Sequence, residues 1–172
     1  YGVKADLICC GKGMGGGFPI SGVIGKAAVM DLPEVGNMSS THSGNPVVCA
    51  AGIAVLEEIE NLKLVRASAD KGLILHSKLN KFVEDFPELI RGIYGKGLIA
   101  SIIFNKEING TNSSPIVSKI AEKCMQKGLL VVHTGRESIK IGPPLTITES
   151  ALIEGVEVIR EVLEITSNDV RG

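Results

Sequence analysis

Apolar and polar positions change rhythm several times along the chain, and each change marks a predicted element. Ala5 to Cys10 is a short apolar run that stops at the glycine-dense stretch GKGMGGGFP, Gly11 to Pro19, so the pattern predicts a buried strand ending in a tight loop. Ser21 to Gly25 predicts a second short strand. Lys26 to Asp31 predicts one or two helical turns closed by Leu32-Pro33, with polar loop through Gly44. Asn45-Pro46 places a cap-competent side chain directly before a proline, the favoured order at a helix start, and Val48, Ala51, Val55, Leu56 and Ile59 follow at helical spacing. That spacing loosens near Asn61 and resumes through Val65, Ala69, Leu73, Leu79, Phe82 and Val83, which predicts a kink or break and a second helix ending at Phe86-Pro87.

From Ile90 the texture is that of strands. IRGIYGKGLIASIIF predicts two strands or one bulged strand, with Gly95 and Gly97 permitting a bulge or close packing, and Asn109-Gly110 predicts a turn. A helix over Pro115 to Lys127 follows, capped by Ser113 or Ser114 and stopped by Gly128. LLVVHT and SIKIG then read as strands, and Thr148 to Ile165 as an amphipathic helix whose charged face runs from Glu149 to Glu161. The order is that of an α/β fold with its boundary inside the helical connection, and no internal repeat is present.

Composition narrows the function classes. At 172 residues, 44% hydrophobic and a formal charge of −1, the chain has enough apolar material for a real core, and its lysines and arginines are interspersed with acids, giving no basic stripe for nucleic acid. No apolar stretch approaches the roughly 20 residues of a membrane span, and YGVKADLICC lacks the layout of a signal peptide. Cys9, Cys10, Cys49 and Cys124 show neither metal-site spacing nor disulfide-scaffold density, so a reducing cytoplasm is the expected location. The missing initiator Met and the immediate entry into a strand predict a fragment.

Two readings compete for the glycine loop. Gly11 to Gly16 satisfies G-x-G-x-x-G after a strand, the fingerprint of a dinucleotide-binding module, but such a loop must open a helix, whereas Gly17-Phe18-Pro19 leads into the β-rich ISGVIG. The other reading makes Lys12 a nucleophile. A lysine between two glycines leaves room for a flat ligand to approach its amine, and desolvation or nearby positive charge would lower its pKa from about 10.4 and free the lone pair needed to attack an aldehyde. Spacing alone favours a solvated loop lysine.

Read together, ADLICCGKGMGGGFPISGVIGKAAVM and STHSGNPVVCAAGIAVLE resemble the class III (ornithine/4-aminobutyrate-like) pyridoxal-phosphate-dependent aminotransferases, in order and in spacing, and the resemblance runs from Tyr1 to about Ile165. It implies the C-terminal part of the fold type I transferase fold. Residues 1–60 would close the large cofactor-binding domain, 61–86 would form a connecting helix and 87–172 a small α/β domain. It also implies pyridoxal 5'-phosphate as cofactor, held by Lys12 as a Schiff base (the internal aldimine) within the G-K-G-M-G-G-G string. Ser39, Ser40, Thr41 and Ser43 offer hydroxyls just before a helix N-terminus, where free N–H groups favour an anion. In the family the threonine four residues before Asn-Pro, here Thr41, reaches across a homodimer interface to the cofactor phosphate. Ser40 and Thr41 are therefore the phosphate candidates, and the resemblance implies a homodimer with shared active sites.

SIKIGPPLTITESALIEG resembles the family's C-terminal signature, in which an arginine three residues before the double proline clamps the substrate carboxylate. Lys140 occupies that position, and a lysine is a point charge without the bidentate fork. Arg136 is a candidate to compensate, an acceptor or donor without the usual carboxylate is the weaker hint, and a surface lysine on an edge strand is the plain alternative. His42, His76 and His133 stand singly, without metal-ligand spacing, so no metal is predicted. The family's aspartate for the pyridine nitrogen, its phosphate turn and its ring-stacking aromatic all precede the lysine, so the isolated chain is expected to be inactive. Transamination of small-molecule amine and oxo substrates is the expected reaction. A racemase or aminomutase of the same fold, a nucleotide-binding module and a pseudoenzyme are the alternatives.

Overall fold

The computed structural model describes residues 2–171, and the chain divides into two compact units, Tyr1–Lys63 and Leu64–Gly172. In the first, Leu7–Cys10 (β1) pairs antiparallel with Gly22–Gly25 (β2), Leu7 opposite Gly25 and Cys10 opposite Gly22. A 3-10 turn, Lys12–Gly15, lies between them, and Ala27–Met30 (α1) adds a single helical turn. Pro46–Asn61 (α2) begins as the sequence predicts: Asn45 Oδ1 accepts the Val47 N–H at 2.9 Å, with Pro46 in the first turn.

The expectation that Ala5 to Cys10 is a buried strand is corrected. Leu7 and Ile8 are 45% and 52% exposed, and Val23 and Ile24 on β2 are exposed as well. A two-stranded hairpin is marginal unless another layer packs on its apolar face.

The break predicted near Asn61 falls at Leu62–Lys63, where Lys63 takes the left-handed φ of 50° and ends the helix. Leu64–Asp85 (α3) then opens the second unit and stops, as predicted, just before Phe86-Pro87. Ile90–Lys96 (β3) and Ile99–Phe104 (β4) are two strands of one hairpin, with a register irregularity between Ile90 and Gly92. After a two-residue ribbon, Glu107–Ile108 (β5) and Thr111–Asn112 (β6), turning at Asn109-Gly110, comes Ser114–Gln126 (α4). Val132–His133 (β7), Ser138–Ile141 (β8) and Glu149–Arg171 (α5) complete the unit.

Three details differ from the sequence reading. Ser113 makes no capping bond; the Ser114 N–H is instead taken by Asn112 Oδ1 at 2.9 Å, while Ser113 Oγ is buried without a partner. The strand expected over LLVVHT shrinks to Val132–His133, because the Leu129 N–H is captured by the Cys124 carbonyl at the end of α4. The last helix runs on to Arg171, since Val162, Leu163, Thr166 and Ser167 keep burying the same stripe.

The four-stranded sheet has the order β3-β4-β8-β7, every pair antiparallel. Ala100, Ile102 and Phe104 on β4 and Ile139 on β8 turn to one face, where they meet Leu75, Leu79 and Phe82 of α3, Val117 and Ile120 of α4 and Val156, Ile159 and Leu163 of α5. All of these are at most 3% exposed. Cys124 lies in the same core, and burial pushes its thiol up to about 11, so it stays protonated and packs as a small hydrophobe. The β3–β4 tip is moored to α3: the Leu98 N–H donates to Ser68 Oγ at 3.2 Å and His76 Nε2 lies 3.1 Å from the Gly97 carbonyl.

The end of α5 is tied back by Glu88. Its carboxylate accepts from Ser167 Oγ and pairs with Arg171 at 3.0 Å. Burial alone would raise Glu88, but the Ser167 hydrogen bond, its own backbone amide and Arg171 outweigh that and hold it below the usual carboxylate value. A depressed native pKa contributes stability that is present above the unfolded value of about 4.3 and is lost as pH falls through the native one. Denaturant midpoints measured from pH 7 to 3 should therefore fall less steeply for Glu88→Gln than for wild type in the acid range; parallel curves would remove Glu88 from the account.

Candidate functional site

In the first unit the glycine loop becomes a short turn between antiparallel strands. Gly11 is extended, Lys12–Gly15 form the 3-10 turn and Gly16 closes it at φ 60°. A dinucleotide site needs a full helix N-terminus aimed at the pyrophosphate and a parallel crossover. This loop supplies neither, because it returns directly into β2.

Lys12 itself stands at φ 60°, one of three non-glycine residues with positive φ among those described. Left-handed backbone costs an L-residue about 1–2 kcal/mol, so the side chain is held there against its own preference, a pattern that clusters at functional sites. What holds it is α2. Gly52 is buried, and its helix face meets Ile20 and the Met14 carbonyl, since a Cβ there would lie 3.4 Å from Ile20 Cδ1 and 3.8 Å from that oxygen. Ile20 in turn packs against Gly15. The turn is thus seated on a helix, and the lysine projects from it.

The Lys12 amine has no hydrogen-bond or ion-pair partner among the described residues, and no carboxylate neutralises it. Space beside Gly13 and Gly17 is open, with nothing within 4 Å of where a Cβ would stand. An unpaired amine flanked by unfilled space fits a flat aldehyde cofactor. The side chain is exposed among these residues, so the desolvation anticipated from sequence does not come from this unit's own atoms.

Ser40 and Thr41 lie in the exposed turn leading to α2. Ser43 Oγ donates to Ser40 Oγ at 3.0 Å, and the Ser43 N–H reaches the Ser40 carbonyl at 3.1 Å, so Ser40 braces the turn. The Thr41 hydroxyl is left without a partner among the described residues. Asn45 already occupies the Val47 amide, which directs any anion here to side-chain hydroxyls and to the remaining helix amides.

In the second unit Lys140 lies on β8, which is an interior strand between β4 and β7, so the edge-strand alternative is corrected. Its sequence neighbour Ile139 is 1% exposed in the core, and Lys140 points to the opposite, uncovered face, opposite Ser101 of β4 and Val132 of β7. Arg136 is exposed in the β7–β8 turn, and its carbonyl meets His133 Nε2 at 2.7 Å, which gives that histidine a structural role. The GPP segment after β8 is anchored as well: Lys71 of α3 donates to the Ile147 carbonyl. Sequence reading did not single out Ser101 or Tyr94, which share the face of Lys140; only the pairing register reveals them.

Among the described residues, no helix is long and apolar enough to cross a membrane. A family model described as aminotransferase class-III matches residues 1–163. An acetylornithine aminotransferase from Synechocystis is 35% identical over 94% of this chain and 36% of its own length. A leucine/methionine racemase from Thermococcus litoralis is likewise 35% identical, over 95% of this chain and 37% of that protein. The crystal structure of acetylornithine aminotransferase from Elizabethkingia anophelis superposes with a TM-score of 0.85 at 30% identity, covering 95% of this chain and 40% of that one. The chain therefore spans somewhat over a third of the length of the curated relatives it matches.

Proposed function

The chain belongs to the class III aminotransferase family, and on that premise we propose that it carries the cofactor-anchoring lysine and the substrate's acid-end contact of a pyridoxal-phosphate-dependent transaminase. Residues 1–60 close the cofactor-binding domain, 61–86 connect, and 87–172 form the small domain. The observation that carries the reading is Lys12: an unpaired amine, held in left-handed backbone on a helix seat, beside open glycine space.

Pyridoxal 5'-phosphate, when bound, supplies the aldehyde and the electron sink. Lys12 Nζ would be the group that holds it, and the same amine, when free, would serve as the base that moves the proton at the donor's α-carbon. The donor's C–N bond is replaced by C=O with oxygen from water, and in the second half the acceptor's C=O becomes C–NH2, releasing water. The net reaction is amino transfer with no outside oxidant. Thr41 and Ser40 offer hydroxyl donors to the phosphate of a second copy, making the enzyme a homodimer with shared sites, and Lys140 holds the substrate's acid end, with Arg136 as the nearby second cation. A reducing cytoplasm suits the four free thiols.

The test is borohydride reduction of the full-length protein with pyridoxal phosphate, followed by peptide mapping. The label should sit on Lys12; a label on another lysine, or none, overturns the assignment. The racemase relative favours a second reading, in which the proton returns to the opposite face of the same carbon. Incubating one enantiomer of an amino acid without any oxo acceptor separates them: loss of optical purity under those conditions supports racemisation, and acceptor-dependent turnover supports transfer.

A further inference from the structure

We propose that Ser101, with Tyr94 beside it, completes the carboxylate site at Lys140, so that the substrate's acid end is read by one ammonium and one hydroxyl from adjacent strands. This rests on the reading of Lys140 as the acid-end contact and adds the residues that decide what it accepts.

The register of the sheet builds the site. Tyr94 on β3 is opposite Ser101 on β4, Ser101 is opposite Lys140 on β8, and Lys140 is opposite Val132 on β7. Directly opposed residues share a face, with Cβ atoms about 4.5–5.5 Å apart. Ala100, Ile102 and Ile139, the flanking positions in sequence, are buried under the helices, so this row turns to the uncovered face. Tyr94 is 65% and Val132 60% exposed there.

The polar atoms of the row are unspent. Lys140 makes no hydrogen bond or ion pair among the described residues, and neither the Ser101 nor the Tyr94 hydroxyl has a partner. Around them lie Ile99, Ile103 and Val132. Lys140 is exposed on this face, so its ammonium, bordered by hydroxyls and aliphatic groups, is open to an anion from outside the unit.

The chemistry follows from lysine's geometry. An ammonium cannot grip both oxygens of a carboxylate as a guanidinium fork does. A serine hydroxyl one strand away supplies the second donor, with O–H···O− contacts of about 2.5–2.7 Å and N+–H···O− contacts of about 2.7–2.9 Å. Tyr94 is fixed as the side wall: its ring lies back over Gly92, where a Cβ would stand 3.2 Å from the ring edge. The row thus reproduces a two-point hold on a carboxylate from two different strands.

The experiment is calorimetric titration of the full-length protein with glutarate, an unreactive carboxylate, against 1,5-pentanediol as the uncharged control. Wild type should bind glutarate and not the diol. Ser101→Ala should weaken glutarate about tenfold, the value of a hydrogen bond to a charged group, and Ser101→Thr, which keeps the hydroxyl, should stay within about twofold. Lys140→Ala should abolish binding, and all variants should keep the wild-type unfolding midpoint. Undiminished binding in Ser101→Ala, weakening in Ser101→Thr equal to that in Ala, or no glutarate binding by wild type would each overturn the proposal. None of these outcomes touches borohydride labelling at Lys12, so a failure of the wider reading would show separately, as an unlabelled Lys12.

Discussion

Lys12→Ala in the full-length protein should lose covalent cofactor capture and slow amino transfer by about a thousandfold or more, since both the anchoring amine and the general base disappear together. The structure adds a second, opposite expectation. Because Lys12 sits at φ 60°, Lys12→Gly should relieve about 1–2 kcal/mol of left-handed strain, offset in part by the greater freedom of glycine in the unfolded chain. A variant that is inactive yet no less stable than wild type, read from single-turnover assays beside thermal unfolding, would show that the lysine is there for chemistry. Retained turnover in Lys12→Ala, or a marked loss of stability in Lys12→Gly, would mean that the residue serves the fold instead.

Gly95→Ala should be among the most destabilising single changes in the second unit. Its φ of 146° is one that L-residues rarely adopt, and an added Cβ would lie 2.1 Å from the Ile99 carbonyl oxygen and 2.8 Å from Ala100 Cα. These are backbone atoms of the paired strand and cannot rotate aside. Strained backbone costs about 1–3 kcal/mol, and overpacking adds a similar amount, so a loss of about 3–5 kcal/mol is expected from denaturant unfolding. Gly110→Ala is the control, with φ 70° but nothing within 4 Å of its Cβ; it should show only the left-handed cost of about 1–2 kcal/mol. Similar midpoints for the two variants would mean that the hairpin can open at Gly95 without cost. Because Gly95 follows Tyr94, a change there should also disturb the pairing that places Tyr94 opposite Ser101.

Local signals carried much of the fold. Asn45-Pro46 starts α2 and Gly128 follows α4, because capping and left-handed stops depend only on neighbouring residues. The apolar run before the glycine loop is exposed within its unit for a non-local reason: its length and composition are those of a covered strand, and cover comes from other elements. Ser113 illustrates the same limit, since Asn112 competes for the helix amide and only three-dimensional placement decides between them. At the candidate site, the family resemblance, rather than residue types and spacing alone, pointed to Lys12, Ser40, Thr41 and Lys140. The left-handed backbone of Lys12 was not legible, and neither was the row through Ser101. Both depend on contacts distant in sequence: α2 against the turn, and β4 against β8.

Alternation along β8 also divides labour between adjacent residues. Ile139 belongs to the packed side, whereas Lys140, one position later, belongs to the uncovered side and carries none of the core's weight. Such a position is free to drift. Descendants of this chain could exchange the ammonium for a guanidinium, an amide or an aliphatic group, each altering what that face attracts, without first acquiring a compensating mutation in the core. The sheet thereby separates heritable change in chemical preference from heritable change in stability.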